Sequence, residues 1–424
     1  MPAKSKIGRI AKKGVIILRK IKKLSLAILT VILSLIVADF LLGVAAFVSP
    51  RVNEVLSVVP RHVPDKRLKH RPNPAYPDHD ENGFRNPKVP ETAQVVALGD
   101  SQTYGNGAKA EQAWPKVLEK LSGRTVYNMA FGGYGPVQSL MLWDQAVALK
   151  PEIIIEGLYS GNDLYDSYQM IHLSGNMPEL MPDEESVMET ISQAEKSAPV
   201  GQRLSKAGRS EKKISAFKKF RKSIKPWFTE HSNLYGLYWR AKYELSHIGE
   251  KDDEDRWQSA KASADKHPEK TQAFSSKLSR TVFKSAYRLT ALNLDDPTIR
   301  EGQRIILEVI RRMDQLASRD GIRFIVLLIP TKELVFSEQA KGITASSYQA
   351  LVENERQFWK EVKLYLDEHS IEYMDSLQSL QAQLETNSQP YRVTGDGHPR
   401  EHGYRAIAHA IHSYLALDPQ QELK

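Results

Sequence analysis

The 424-residue chain has no cysteine. Disulfides, thiolate nucleophiles and cysteine-bound metals are therefore excluded, and an oxidising compartment is tolerated without being demonstrated. Acidic residues are missing from residues 1–23, which hold nine Lys or Arg, and the remainder carries 50 basic against 51 acidic residues. The formal net charge of +8 thus belongs to one arm. A basic arm can bind nucleic acid, but here it leads directly into a stretch that almost lacks charge, so no nucleic-acid partner is expected.

That stretch, Leu24 to Val48, contains only Asp39 as a charged residue and is long enough to span a bilayer. Positive charge ahead of it favours a cytoplasmic N-terminus, with the rest of the chain across the membrane. A cleaved signal peptide is the rival, with Ala45 and Ala46 near a cleavage site. The long basic region and the length of the apolar run favour the anchor. A lipid-exposed Asp39 would cost roughly 2.5 to 3.5 kcal/mol on insertion scales. It is a candidate contact for a membrane partner; otherwise the surrounding leucines and isoleucines outweigh it, or it is drawn to the interface.

Three later segments share one layout, a short apolar run ending in a glycine-rich polar turn. Val95-Val96-Ala97-Leu98 leads into Gly99-Asp100-Ser101, Val126 to Ala130 into Phe131-Gly132-Gly133, and Ile153 to Tyr159 into Ser160-Gly161-Asn162-Asp163. Near the C-terminus, Asp396-Gly397-His398-Pro399 precedes an amphipathic helix. A serine at the carboxyl end of a buried strand stands where open α/β sheets place ligands. It becomes a nucleophile when a histidine, held in the right tautomer by a carboxylate, removes its proton.

These four signals, in this order, resemble the SGNH, or GDSL-type, hydrolase family over about residues 82–165 and 322–416. The resemblance implies Ser101 as nucleophile, His398 as general base and Asp396 as the group orienting the imidazole. It implies oxyanion donors at the backbone N–H of Ser101, the backbone N–H of Gly133 and the amide of Asn162. The spacing Asp-x-His, where many members have Asp-x-x-His, is similar to that of membrane-anchored proteins of bacterial exopolysaccharide acetylation. So is Ile329-Pro330-Thr331-Lys332-Glu333, which makes Lys332 a candidate substrate contact; the alternative is an ordinary strand-to-loop turn with a solvated lysine.

Alternating strands and helices predict a central parallel sheet covered on both faces, and the resemblance implies that it is a flavodoxin-like three-layer α/β/α fold. Strands are expected at 95–98, 125–129, 152–158, 323–329 and 371–375, and helices at Glu111–Leu121, Val137–Ala148, Glu301–Ser318, Ala345–Glu368 and Glu401–Ala416. The organisation reads as a basic cytoplasmic arm (1–23), a transmembrane helix (24–48), a Pro-rich extended connector (49–90) and a hydrolase domain (91–169 and 301–418). Residues 170–300 read as a helical, partly disordered insertion without recognisable strands. Within it, Ile214, Phe217, Phe220 and Ile224 fall at helical spacing among Lys212, Lys213, Lys218, Lys219, Arg221 and Lys222, with Pro226 as a stop. Such a helix lies on an anionic membrane surface, acts as a lid, or packs on its own domain with a solvated basic face. Asp78, Asp80, Asn82 and Gly83 mimic the opening of a calcium loop, but Val89 replaces the bidentate Glu and Pro87 and Pro90 deny the following helix. His402 and His409 read as surface or packing residues. No metal and no cofactor is expected.

The expected function is a single-pass esterase of the bacterial inner membrane, its domain periplasmic or extracellular, acting on O-acetyl groups of a cell-envelope or secreted polysaccharide. Acetyl transfer by the same triad, a non-catalytic scaffold of a polysaccharide assembly complex, and a lipase or thioesterase are the alternatives.

Overall fold

Runs of Val, Ile and Leu too short for core helices must pair to satisfy their backbone groups once buried. In the computed structural model, which describes residues 3–208, 216–248, 253–386 and 388–416, three such runs and two shorter mixed segments, Val-Tyr-Asn and Tyr-Met-Asp, do so. They are β1 (Val95–Gly99), β2 (Val126–Asn128), β3 (Ile153–Tyr159), β4 (Arg323–Ile329) and β5 (Tyr373–Asp375). They form one all-parallel sheet in the order β2-β1-β3-β4-β5. Every residue of β1, β2 and β3 is buried, as expected when helices cover both faces of a parallel sheet. The order reverses between β1 and β3, and a doubly wound sheet opens its ligand crevice at the carboxyl ends of those two strands.

The helix Pro297–Asp320 packs with Pro136–Met141. It is tied to Ser346–Glu368 by Arg300 and Gln303, which both donate to Glu361. The helix Glu401–Ala416 packs with Trp114–Ser122 and Leu377–Leu384. All five expected strands are present, and Glu401–Ala416 matches residue for residue. Pro297–Asp320 begins four residues before the expected Glu301, because Pro297 takes the first helical position and Asp296 caps it by accepting from Thr298 N at 3.0 Å.

Contacts divide the chain into two units, Met1–Val59 with Lys213–Glu250, and Pro60–Lys212 with Lys251–Lys424. The stretch expected as one insertion is therefore divided. Residues 251–300 belong to the sheet's unit and contain an antiparallel pair, Gln272–Ser275 with Arg280–Phe283. Its strands are only four residues long and rich in polar side chains, so they carry no apolar signature. The expected connector is also partly regular. Pro50–Leu56 is a helix capped by Ser49, and His62–Asp65 pairs with Lys69–Pro72.

In the smaller unit, the helix Ala3–Val48 includes one stretch, Lys20–Val48, long and apolar enough to cross a membrane. The helices Ala216–His231 and Asn233–Ile248 follow one another across a single residue, Ser232. Pro226 lies inside the first of them instead of ending it, at an exposed position. Lys212, Lys213 and Ile214 lie outside the described residues.

Candidate active site

The sharp turn after β1 exists because Gly99 adopts φ +134°, a backbone conformation that side-chain-bearing residues avoid. A Cβ there would lie 2.8 Å from Thr103 Oγ1 and 2.9 Å from the carbonyl of Gly157. Asp100 then caps the one-turn helix Ser101–Tyr104 by accepting from Gln102 N at 2.7 Å. Ser101 is left half-buried at the sheet's carboxyl edge, beside the crevice. Burial pushes the fully enclosed Asp100 carboxyl up, against the hydrogen bond from Gln102 and the charge of His398.

His398 and Asp396 arrive on a segment without regular secondary structure, yet they meet Ser101. His398 Nε2 lies 2.8 Å from Ser101 Oγ, and His398 Nδ1 lies 2.6 Å from Asp396 Oδ1. The same Oδ1 accepts from the His398 backbone N–H at 3.1 Å. The short Asp-x-His spacing therefore closes a turn on itself, and one oxygen fixes both the main chain and the ring. Burial alone would raise the Asp396 carboxyl, but the hydrogen bonds and charge of His398, with Arg392 nearby, hold it well below the usual carboxylate range.

Lys332 stands at the foot of this loop. It is 1 % exposed, and its ammonium donates to the carbonyls of Val282 (2.9 Å), Thr394 (2.8 Å) and Asp396 (2.9 Å). An ammonium has three donors, and here all three are used. The expectation of a substrate-facing Lys332 is thus corrected: its neighbours are main-chain oxygens, not open space. Burial lowers its pKa to about 8, against the raising effect of Glu333 and Asp396. Thr331 and Glu333 are similarly committed, Thr331 N to Glu355 Oε1 at 2.7 Å and Glu333 Oε1 to Lys284 N at 2.9 Å.

Of the remaining expected donors, the Gly132-Gly133 turn borders the serine, whereas the Asn162 amide is bonded to two carboxyl groups. The β2 turn is drawn to β1 by Phe131 N donating to Gly99 O at 3.2 Å. A Cβ on Gly132 would lie 3.7 Å from Ser101 Cβ, which places the Gly132-Gly133 turn beside the hydroxyl. Gly133 has φ +81°, and the turn is braced by His70 Nε2, 3.0 Å from Gly132 O. Burial lowers the His70 pKa against that backbone bond, favouring a neutral ring. Asn162 follows β3, and its amide donates to Asp166 Oδ2 at 2.8 Å and Asp163 Oδ1 at 3.2 Å. Burial pushes Asp166 up to about 7, moderated by that Asn162 bond.

Besides His70, three neighbours were not foreseen. Arg61 Nη1 donates to Asn106 Oδ1 at 3.0 Å, and its Nη2 would lie 3.5 Å from a Cβ on Gly132. Asn106 Nδ2 would lie 3.6 Å from that same position. Arg288, from the stretch expected to be an insertion, donates to Gly161 O at 2.6 Å, and its Nη2 would lie 2.8 Å from a Cβ on Gly397. It therefore spans the Asn162 turn and the Asp396-His398 loop.

The aspartate-rich turn mimicking a calcium loop closes on its own groups. Asp80 Oδ1 accepts from Asn82 N and Phe84 N at 3.0 Å each, and Oδ2 accepts from Asn86 Nδ2 at 3.0 Å. Among the described residues, no group of three or more His, Asp or Glu side chains is placed to hold a metal ion. His402 and His409 are exposed on the helix Glu401–Ala416.

No protein-family model and no curated protein matches this sequence. Among solved structures, it is similar to a protein named for the lipolytic G-D-S-L family from Desulfitobacterium hafniense DCB-2, at 14 % identity and TM-score 0.31, over 76 % of this chain and 99 % of that one. A GDSL-like lipase from Bacteroides thetaiotaomicron VPI-5482 is 10 % identical at TM-score 0.31, over 77 % of this chain and 92 % of that one. A protein named as an acylhydrolase from Bacteroides fragilis NCTC 9343 is 13 % identical at TM-score 0.31, over 77 % and 90 %. Likenesses at this level carry no weight on activity, which has to be judged from the site itself.

Proposed function

We propose that the chain is a membrane-anchored serine esterase of the SGNH type, acting through an acyl-enzyme on short-chain O-acetyl esters of an extracytoplasmic polysaccharide. The observation that carries this reading is the continuous hydrogen-bonded line Ser101 Oγ, His398, Asp396, at 2.8 and 2.6 Å. A serine hydroxyl is a weak nucleophile until a neighbouring base takes its proton. His398 Nε2 is in reach to do so, while Asp396 holds Nδ1–H and stabilises the imidazolium.

Attack of Ser101 Oγ on the ester carbonyl forms the Oγ–C bond and moves the carbonyl π-electrons onto oxygen. The Ser101 N–H, the Gly133 N–H and the Asn162 amide are the donors assigned to that oxyanion, each worth about 3 to 4 kcal/mol of transition-state stabilisation. Asn162 would turn one N–H from its carboxylate partners to serve. Collapse breaks the C–O bond to the alcohol, which leaves with the proton from His398. Water, activated by the same histidine, then releases the acid; a second sugar hydroxyl in place of water gives transfer.

Arg61, Asn106 and His70 place polar groups around the Gly132-Gly133 turn, which suits a hydroxylated substrate better than a long acyl chain. The apolar stretch Lys20–Val48 supports anchorage, and the basic residues ahead of it support an N-terminus inside. The test is turnover of p-nitrophenyl acetate, longer acyl esters and acetylated glycans by the protein and by Ser101→Ala. Ser101-dependent turnover that falls with acyl length is expected. No Ser101-dependent turnover on any ester defeats the enzyme reading, and a strong preference for long chains defeats the polysaccharide assignment.

A further inference from the structure

The lone carboxylate of the apolar helix is already occupied within the chain. Ser232 Oγ donates to Asp39 Oδ1 at 2.9 Å and the backbone N–H of Leu234 donates to the same oxygen at 2.8 Å. Asn233 Nδ2 approaches the Asp39 carbonyl at 3.4 Å. Asp39 thus faces the first turn of the helix Asn233–Ile248, where free N–H groups and the helix dipole favour a negative charge. Ser232 completes the cap by accepting from Tyr235 N at 3.1 Å. The approach is close: a Cβ on Gly43 would lie 3.0 Å from Asn233 Nδ2, and a Cβ on Gly236 would lie 1.5 Å from the carbonyl of Leu56. Only small residues allow helices so near each other.

Depth follows from the helix rise. At about 1.5 Å per residue, Asp39 lies about 22 Å beyond Leu24 and about 13 Å before Val48. A hydrocarbon core of about 30 Å laid anywhere along Leu24–Val48 therefore contains Asp39, in its C-terminal leaflet. Whatever is bonded to Asp39 shares that depth.

From this we infer that the helices Ala216–His231 and Asn233–Ile248 form an elbow whose Ser232-Asn233 corner is seated on Asp39 and inserted in the non-cytoplasmic leaflet, its outer face against lipid. This rests on the membrane-spanning reading of Lys20–Val48. The surface around the elbow fits that occupant. Phe220 is 59 % exposed, Trp227 56 %, Phe228 39 %, Leu237 41 % and Tyr238 60 %. Exposed large apolar side chains of this density are costly in water, whereas a leaflet takes them up, with Trp and Tyr at the headgroup level. Arg221 and Lys225, exposed on the same helix, suit anionic headgroups. Asp39 is accordingly a docking point for the chain's own Ser232 elbow, and it needs no second protein to satisfy it.

The absence of cysteine gives a clean background for spin labels. In the full chain, in vesicles of phosphatidylethanolamine and phosphatidylglycerol, nitroxides would be placed singly at Leu33→Cys in the span, Phe228→Cys and Leu237→Cys beside the elbow, and Lys277→Cys as a water-exposed control. Leu33, Phe228 and Leu237 should collide readily with oxygen and be shielded about tenfold from a water-soluble nickel chelate, relative to Lys277. Nickel accessibility at 228 and 237 equal to that at 277, with 33 shielded, overturns the insertion of the elbow and leaves the span intact. Accessibility at 33 as well overturns both. Shielding from oxygen and nickel together at 228 would mark a protein contact, such as a second copy, and also overturns the assignment. Asp39→Leu should raise nickel accessibility at 228 and 237 several-fold while leaving 33 unchanged, and no change there would break the link to Asp39.

Discussion

Ser101 and His398 reach one hydrogen bond from two different kinds of support. Ser101 follows a fully buried strand, and its position is set by backbone: the sheet, the positive φ of Gly99 and the cap of Asp100. His398 lies on an irregular loop held by side-chain bonds, the Asp396 carboxylate from within it and the Lys332 ammonium from beneath it, on the carbonyls of Thr394 and Asp396 and of the adjoining Val282. A strand-end nucleophile costs the sequence only a glycine and a capping residue. A loop-borne base needs buried polar bonds, each of which becomes a liability if one partner is lost.

Several substitutions break this contrast. His398→Ala should be the most severe, lowering kcat by about 10^4 to 10^6 with little change in thermal stability, since groups acting as one catalytic unit fail together; a loss under about tenfold would remove His398 from the chemistry. Lys332→Met comes next. It strands three carbonyls, one buried and two part-buried, and should cost about 3 to 5 kcal/mol in denaturant unfolding. Esterase activity should drop even in the fraction that remains folded, with kcat affected more than KM, and unchanged activity would show that the loop holds itself. Gly99→Ala strikes the other support, forcing a Cβ into Thr103 and Gly157. A destabilisation of about 1 to 3 kcal/mol is expected from the backbone strain, together with reduced kcat.

The smallest effect concerns the sheet beneath the site. Glu156 on β3 is fully buried, and burial pushes its carboxyl up to about 8, despite the lowering influence of Ser139. Its folded-state pKa lies above the unfolded value, so between about pH 4.5 and pH 8 the native chain holds a proton that the unfolded chain has released. Stability should therefore fall as pH rises through that window. Glu156→Gln should flatten the slope, measured by denaturant unfolding at several pH values, while leaving Ser101 chemistry in place. An unchanged slope would assign the pH dependence to another group.

The same contrast explains what was legible in the sequence. All five strands, the turn bearing Ser101 and the Asp396-Gly397-His398 segment are local patterns: short apolar runs, glycine-rich turns and a two-residue spacing. Lys332 was visible as a residue but not in its role, because its acceptors stand 50, 62 and 64 residues away in the chain. Arg288 lies 127 residues from Gly161, and Ser232 lies 193 from Asp39. Contacts of that range leave no periodicity. The four-residue strands Gln272–Ser275 and Arg280–Phe283 are hidden for a related reason, since they are short, half polar and braced by distant neighbours such as Gln389, which accepts from Arg280 N at 3.0 Å.

The most direct measurement of the central claim is the site of covalent capture. The protein, His398→Ala and Ser101→Ala would each be treated with a fluorophosphonate or rapidly quenched during p-nitrophenyl acetate turnover, and the adduct mapped by peptide mass. A single adduct on Ser101, strongly slowed in His398→Ala and absent in Ser101→Ala, is the expected result. An adduct on another residue, or capture at Ser101 as fast without His398 as with it, would contradict a nucleophile built from Ser101, His398 and Asp396.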